Sequence, residues 1–202
     1  MEGPEAALLG RARNRAGRPR STSRSELERI GFELFAQKGF DAVTIDDIAA
    51  VAGIGRRTFF RYFGSKNDLV WGDFEAHLGW LRRLLEAVPE SVPVMTALRT
   101  AIVEFNRFDP TTVPWHRRRM ELILHVPALQ ADSTLRYNAW RDIVTEFAAA
   151  RTGQDPRDLG PALTGHVALA ASVTAYERWL WDEDADLTEL LDEAFGRLAT
   201  GL

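Results

Sequence analysis

Two short helical patterns joined by a glycine-containing turn constrain the fold more than any other feature of the sequence. Thr44 and Asp47 have the spacing of a capping box, in which each side chain bonds the other residue's backbone N–H at a helix start. The apolar residues that follow predict a helix to Ala52, and Gly53 can supply the left-handed turn that ends it. A second short helix is predicted over 56–62. Two helices joined in this way are the frame of a helix-turn-helix motif.

The remaining sequence is also helical in pattern, and we find no alternating strand pattern. Ser23 and Glu26 repeat the capping-box spacing before a helix that ends at Gly39. Ser65 caps a long helix predicted over 66–88, and prolines separate further helices predicted over 91–108, 115–125, 128–151, 157–182 and 187–200. The sequence therefore predicts an all-α protein of about nine helices. We expect a helix-turn-helix domain over 21–66 and a second helical domain over 67–202.

Charge is distributed unevenly along the chain. The net charge is −4, yet residues 1–70 carry +3 and residues 71–202 carry −7. This asymmetry suggests a polyanion-binding head on an acidic body, although charge alone leaves open a chance variation of the surface. The chain has no cysteine, no membrane-length apolar run and no secretory signal, so we expect a cytoplasmic protein without membrane partners.

Residues 1–20 are predicted to be a disordered basic arm. Pro19 blocks a helix there, and Gly17, Arg18 and Pro19 resemble the core of an AT-hook. Arg18 and Arg20 could therefore lie in a minor groove of DNA, with a solvated tail as the equally open alternative.

The second helix of the motif divides its side chains between two faces. At 100° per residue, Phe59 and Phe63 share a face that should be core. The opposite face should enter the major groove, with Arg56 and Arg57 near guanine edges and Phe60 near a thymine methyl. The DNA-binding residues predicted on or beside this helix are Thr44, Arg56, Arg57, Thr58, Phe60, Arg61, Tyr62 and Lys66, of which Thr44, Thr58, Tyr62 and Lys66 suit phosphate anchoring. A dinucleotide loop at Gly53-x-Gly55 is disfavoured, because it needs a preceding strand and a third glycine.

The stretch "TIDDIAAVAGIGRRTFFRYFGSKNDL" resembles the signature of TetR-family transcriptional regulators. The matching positions are Thr44, Ala49, Gly53, Thr58, Tyr62, Phe63, Ser65 and Lys66. The chain departs from the pattern at Gly55, where Ser or Thr is usual, and at Phe60, where Tyr is frequent. The resemblance implies a dimeric DNA-binding regulator, most often a repressor, that recognises a pseudo-palindromic operator and whose C-terminal domain binds a small-molecule effector.

A narrower resemblance extends over most of the chain. The segments "AGIGRRTFFRYFGSKND", "VEFNRF", "HRRRMELIL" and "VPALQADSTLRY" resemble actinobacterial TetR-type regulators associated with mycofactocin biosynthesis. This resemblance implies an acyl-CoA effector, which would need an apolar tunnel and cationic groups at its mouth.

The second domain supplies residues for both expected functions. The predicted ligand-binding residues are Trp80, Phe105, Phe108, Arg117, Arg119, Leu122, His125, Tyr137, Trp140, Arg141, His166 and Tyr176. The predicted dimer interface comprises Leu169, Val173, Leu180, Leu187, Leu190 and Leu191 on the last two helices. Core packing for each aromatic residue and solvent exposure for Arg117 to Arg119 are the alternatives.

Two other classes of protein remain as alternatives. An enzyme that uses the helical cavity is disfavoured, because the chain has no nucleophile elbow, no His-Glu-x-x-His motif and no P-loop. The four histidines are too scattered to predict a metal site, and we predict no cofactor. An effector-independent DNA-binding protein would not need the large second domain.

Overall fold

The structure of the chain, a computed structural model, describes residues 22–201. These residues form ten α-helices and no strands. The helices are α1 (Arg24–Lys38), α2 (Ile45–Ala52), α3 (Arg56–Tyr62), α4 (Lys66–Trp71), α5 (Phe74–Ala87), α6 (Val94–Phe105), α7 (Val113–His125), α8 (Pro127–Thr152), α9 (Leu159–Trp181) and α10 (Leu187–Thr200). The all-α prediction is confirmed, and no helix in this part of the chain is both long and apolar enough to cross a bilayer.

The predicted ends of α1 and α2 are also confirmed. Ser23 accepts a hydrogen bond from the backbone N–H of Glu26 at the start of α1. Thr44 and Asp47 form both bonds of the capping box at the start of α2. Gly53 ends α2 in the left-handed conformation, with φ +66° and ψ +32°. That conformation suits glycine, because a Cβ atom there meets the neighbouring backbone.

The helix predicted over 66–88 is wrong as a single element, because it breaks at Gly72. Gly72 has φ +63° and ψ −144°, a combination that is essentially restricted to glycine. The Arg24 guanidinium donates to the Gly72 carbonyl oxygen over 2.8 Å, which secures the kink to α1. A Cβ atom on Gly72 would lie 2.8 Å from Nη1 of Arg119. The sequence offered a glycine here, but the partners that hold its conformation come from α1 and α7.

Two apolar cores divide the molecule. The first core packs α1–α4 and includes Leu69, Val70 and Trp71, together with Ile123 of α7 and Leu129 of α8. The predicted domain boundary at residue 66 stays a prediction. In the structure α4 packs with α1–α3, so we call α1–α4 the head and α5–α10 the body.

The second core joins α5–α10 around the long pair α8 and α9. Gly165 permits the close approach of this pair, because an added Cβ would lie 2.2 Å from Oγ1 of Thr145.

Candidate nucleic-acid interface and internal cavity

The recognition helix α3 is held in the head by its two inward phenylalanines. Phe59 and Phe63 are buried, with centroids 5.6 Å apart, as the helical periodicity predicted. Ile48 and Ala49 of α2 are buried as well, and Ile54 in the turn packs against the same core. These contacts fix the orientation of α3 relative to the rest of the head.

The opposite face of α3 is exposed. Arg56, Arg57, Phe60 and Arg61 all face solvent, and Phe60 is unusual as a large apolar side chain with 42% of its surface exposed. Arg56 forms an ion pair of 3.0 Å with Asp46, but both side chains are exposed, so the pair contributes little to stability. Within residues 22–201, Arg57 forms no ion pair. The guanidinium groups of this face are therefore accessible to a large anionic partner.

Three of the predicted phosphate contacts also have structural roles inside the head. The Thr44 hydroxyl donates to Asp47 and accepts from its backbone N–H in the capping box. The Tyr62 hydroxyl donates to the Thr22 carbonyl oxygen over 2.6 Å. Lys66 donates to the carbonyl oxygens of Phe40 and Val43 over 2.7 and 2.8 Å, and burial lowers its pKa.

The phosphate-contact assignments therefore stay predictions. Thr58 is half-buried on the flank of α3. Arg18 and Arg20 lie outside the described residues.

A cavity of about 140 Å³ lies beside the α4–α5 kink and is lined mainly by apolar side chains of the second domain. Its lining residues are Trp71, Phe74, His77, Phe105, Asn106, Phe108, His116, Arg119, Met120, Ile123, Leu124, Tyr137, Trp140, Leu169, Ser172, Val173 and Tyr176. The cavity therefore receives side chains from α4, both sides of the kink, and the helices of the body.

A chain of three neutral polar groups forms one wall of the cavity. The Asn106 amide donates to the Ile102 carbonyl oxygen, so its oxygen accepts from the Tyr176 hydroxyl over 2.5 Å. Since the single hydroxyl proton of Tyr176 is used, His116 Nε2–H must donate to Tyr176 over 2.9 Å. Burial, followed by the charge of Arg119, lowers the pKa of His116 to about 3. His116 is therefore neutral at physiological pH.

A second part of the cavity lining connects directly to the head. Arg119 lines the cavity and donates to Glu28 of α1 over 2.6 Å, and both side chains are largely buried. Trp71 of α4 lines the same cavity and contacts Tyr137 at 6.0 Å between ring centroids. Arg136 of α8 lies 4.9 Å from the Trp71 ring and pairs with Asp68 of α4. Residues that shape the cavity thus also position α1 and α4.

Comparison with known proteins identifies the family. The profile for bacterial regulatory proteins of the tetR family matches residues 30–70, and the profile for the MftR C-terminal domain matches residues 92–202. A Mycobacterium tuberculosis protein named as the mycofactocin biosynthesis transcriptional regulator MftR is 43% identical over 189 residues, which cover 94% of this chain and 96% of that protein. The chain belongs to the TetR family. It is a DNA-binding transcriptional regulator, as both sequence resemblances predicted.

Solved TetR-family structures share the fold of this chain. FadR of Thermus thermophilus, a transcriptional repressor crystallised with lauroyl-CoA, has a TM-score of 0.58 and 21% identity, and the match covers 89% of this chain and 95% of that chain. The fatty acid degradation regulator FadR of Bacillus halodurans has a TM-score of 0.65 and 16% identity, covering 89% and 100%. The matched families and relatives are regulators and not enzymes, which confirms that prediction.

Half of the predicted ligand-binding residues line the cavity: Phe105, Phe108, Arg119, Tyr137, Trp140 and Tyr176. The other six lie elsewhere. Trp80 is exposed on α5, and Arg141 contacts the exposed His166 on α9. Arg117 donates to the Trp179 and Asp182 carbonyl oxygens at the end of α9. Leu122 and His125 line a separate groove between α1 and α7.

Sequence reasoning missed Trp71 of α4 and two members of the polar wall, His116 and Asn106. Trp71 was assigned to the long helix, and His116 and Asn106 carried no motif. The apolar spacing of α7 indicated that His116 faces inward. It did not indicate the partners of His116, because Asn106 lies 10 residues earlier in the chain and Tyr176 lies 60 residues later. Only the tertiary packing brings these three side chains together.

Two of the six predicted dimer residues are buried inside their own chain and need correction, and the other four stay predictions. Leu187 and Leu191 are buried in the second core, while Leu169 and Val173 line the cavity. Leu180 and Leu190 are half-buried against the same core. The apolar spacing was right, but it marked the inward faces of α9 and α10. The outward face of α9 carries Leu159, Leu163, His166, Ala170, Thr174, Glu177 and Trp181, which are spaced three or four residues apart and are all exposed.

Proposed function

We propose that the protein is a dimeric, ligand-responsive repressor that acts in the cytoplasm and binds a pseudo-palindromic operator through α3. The observation that carries this proposal is the exposed face of α3, which presents Arg56, Arg57 and Arg61 around Phe60. An α-helix fits the major groove, and arginine can bond both O6 and N7 of guanine. The buried Phe59 and Phe63 hold this face outward, so α3 needs no rearrangement to meet DNA.

The dimer that we propose uses the outward face of α9. Leu159, Leu163 and Trp181 are 81%, 54% and 77% exposed, which is unusual for a row of large apolar side chains on one helix. A two-fold axis would place this face against its own copy. The two α3 helices would then contact half-sites about 34–36 Å apart, one turn of DNA.

The effector that we propose is an acyl-CoA, whose acyl chain would enter the cavity. The predominantly aromatic and aliphatic lining supports this choice, as does the lauroyl-CoA in the Thermus thermophilus FadR structure. The cavity of about 140 Å³ is smaller than the about 300–1,000 Å³ of most ligand pockets, so a long acyl chain would have to separate its walls.

Effector binding would favour a different arrangement of the head. Trp71 and Arg119 line the cavity and belong to, or contact, the helices that carry α3. A ligand that separates them would shift the relative orientation of the two heads, to the extent that it binds the open form more tightly. The heads would then no longer match successive major grooves.

Titration of acyl-CoA into the protein–operator complex tests the proposal. The operator would come from the intergenic DNA beside the protein's own gene, and fluorescence anisotropy would follow release. We expect lauroyl-CoA to release the DNA and free CoA to have no effect at the same concentration. If no acyl chain length releases the DNA, the effector assignment is contradicted, and a regulator without an effector becomes the better account.

A further inference from the structure

Two buried hydrogen-bond donors at one corner of the cavity have no acceptor among residues 22–201. They are Nε1–H of Trp71 and Nε–H of Arg119, and both residues line the cavity. Buried donors in folded proteins are almost always bonded, so two in one place need an explanation. The third such atom of the described residues, Nε of Arg24, belongs to α1 and does not line the cavity.

The surroundings of these two side chains hold their other parts in place. Nη2 of Arg119 donates to Glu28. Nη1 lies 2.8 Å from the position that a Cβ atom on Gly72 would take. Trp71, the residue before Gly72, has its ring fixed by edge contacts with Phe74 and Tyr137. Since Nη1 of Arg119 lies beside Gly72, which directly follows Trp71, both residues line the cavity next to the kink.

We propose that Trp71 Nε1–H and Arg119 Nε–H form a binding site for the carbonyl oxygen of an acyl ligand. This inference rests on the proposed function, because it takes the cavity as the effector site. Two N–H groups can bond only to a hydrogen-bond acceptor on the ligand. A ligand ammonium group, or a hydroxyl that donates its proton, therefore does not fit.

The acceptor is an uncharged carbonyl rather than a carboxylate. The charge of Arg119 is already balanced by Glu28 at 2.6 Å, and an added carboxylate would be repelled by Glu28. The thioester carbonyl of an acyl-CoA meets this requirement, whereas a free fatty acid does not.

The site gives the carbonyl group a direct effect on the head. Both donor atoms are covered in the structure, so an acyl ligand has to move the side chains around them to reach these N–H groups. The same guanidinium group holds Glu28 of α1. A carbonyl oxygen bound here therefore acts on the elements that position α3, and the acyl chain alone does so less effectively.

A ligand pair and a variant pair test the site by isothermal titration calorimetry on the full chain. Lauroyl-CoA has the carbonyl, and the thioether S-dodecyl-CoA lacks it but keeps the chain and the CoA. The variant Trp71→Phe removes Nε1–H and keeps an aromatic ring. Trp140→Phe is the matched control, since Trp140 lines the same cavity and its nitrogen is not among the buried unpaired donors.

We expect the wild type to bind lauroyl-CoA about 10-fold more tightly than S-dodecyl-CoA, as two hydrogen bonds would give. Trp71→Phe should weaken lauroyl-CoA binding about 3- to 10-fold more than it weakens S-dodecyl-CoA binding. Trp140→Phe should affect both ligands equally. Arg119→Lys, which keeps the charge near Glu28 without Nε–H, should also reduce the preference for lauroyl-CoA. Dodecanoate should bind more weakly than lauroyl-CoA.

Equal affinity of the wild type for lauroyl-CoA and S-dodecyl-CoA would overturn the carbonyl site and leave the acyl-CoA effector standing. The ligand comparison on the wild type decides the question even if a variant fails to fold. Tighter binding of dodecanoate would overturn the choice of an uncharged carbonyl. If the wild type binds neither CoA ligand, the effector assignment itself is contradicted, and the carbonyl site is lost with it.

Discussion

The exposed face of α3 and the cavity use the same residue types in opposite ways. On α3, Arg57 faces solvent and forms no ion pair within residues 22–201, so its guanidinium is available to DNA. In the cavity, Arg119 is largely buried and bound to Glu28 across the boundary between body and head. A change on the exposed face of α3 should therefore alter binding without altering the fold. A change in the cavity should alter both, because the same groups line the cavity and hold the structure.

The pair of adjacent phenylalanines Phe59 and Phe60 gives the largest expected contrast. Phe59 is completely buried, so Phe59→Ala should lower the free energy of unfolding by about 3–5 kcal/mol. Phe60 is 42% exposed, so Phe60→Ala should change stability by less than about 0.5 kcal/mol while weakening operator binding. Urea unfolding measures the first effect and anisotropy the second. Equal losses of stability in the two variants would contradict the division of α3 into a core face and a contact face.

Replacement of Arg57 tests the contact face alone. Arg57→Ala should cost about 1–3 kcal/mol of binding free energy at one base position if the guanidinium contacts guanine. The melting temperature should stay unchanged, because the side chain is exposed. Binding of the variant to a set of single-base operator changes measures this effect. A uniform loss across all operator sequences would make Arg57 a phosphate contact instead.

The buried His116 should make stability depend on pH. Its pKa of about 3 in the folded protein lies below the value of about 6.5 in the unfolded chain. As the pH falls below 6.5, the unfolded chain therefore takes up a proton that the folded protein refuses. Between pH 8 and pH 5.5, the wild type should lose about 1 kcal/mol more stability than the variant His116→Gln.

Urea unfolding of both proteins across this range measures the His116 contribution, because the other titrating groups are common to both. If the stability of the wild type and of His116→Gln falls equally as the pH is lowered, His116 can take up a proton in the folded protein. The polar wall would then be open to solvent, and the contrast between the outer and inner sites would be weakened.

The smallest expected effect concerns the start of α3. Gly55 caps this helix without a side-chain hydrogen bond, and an added Cβ would meet no atom within 4 Å. Gly55→Ser should therefore stabilise the protein by a few tenths of a kcal/mol. Gly53→Ser is the matched control and should destabilise it by about 1 kcal/mol, because Gly53 has a positive φ of +66°. Thermal unfolding compares the two variants, and a destabilising Gly55→Ser would show that α3 needs the glycine.

The two sites also differ in how much of each the sequence could predict. The faces of α3 follow from local periodicity, since Phe59 and Phe63 lie one turn apart and the capping signals mark the helix limits. The capping box and the turn at Gly53 followed in the same way. The break at Gly72 did not, because its positive φ depends on Arg24 and Arg119.

The cavity lies beyond local patterns for the same reason. Apolar spacing shows that α9 has an inward face, but it does not tell a core position from a cavity wall. Leu169 was therefore placed in the dimer interface although it lines the cavity. Consecutive arginines are equally ambiguous, since Arg117 and Arg119 lie on one helix yet contact the end of α9 and Glu28 of α1.

Dimethyl sulfate interference on the operator tests the central claim most directly, because methylation at N7 of guanine blocks the contact expected from Arg56 and Arg57. The account predicts two clusters of interfering guanines, about 10 base pairs apart between their centres. In the Arg57→Ala variant, methylation of one guanine in each half-site should no longer interfere with binding. Binding that is blocked by phosphate ethylation but by no guanine methylation would contradict the claim that α3 contacts base edges in the major groove.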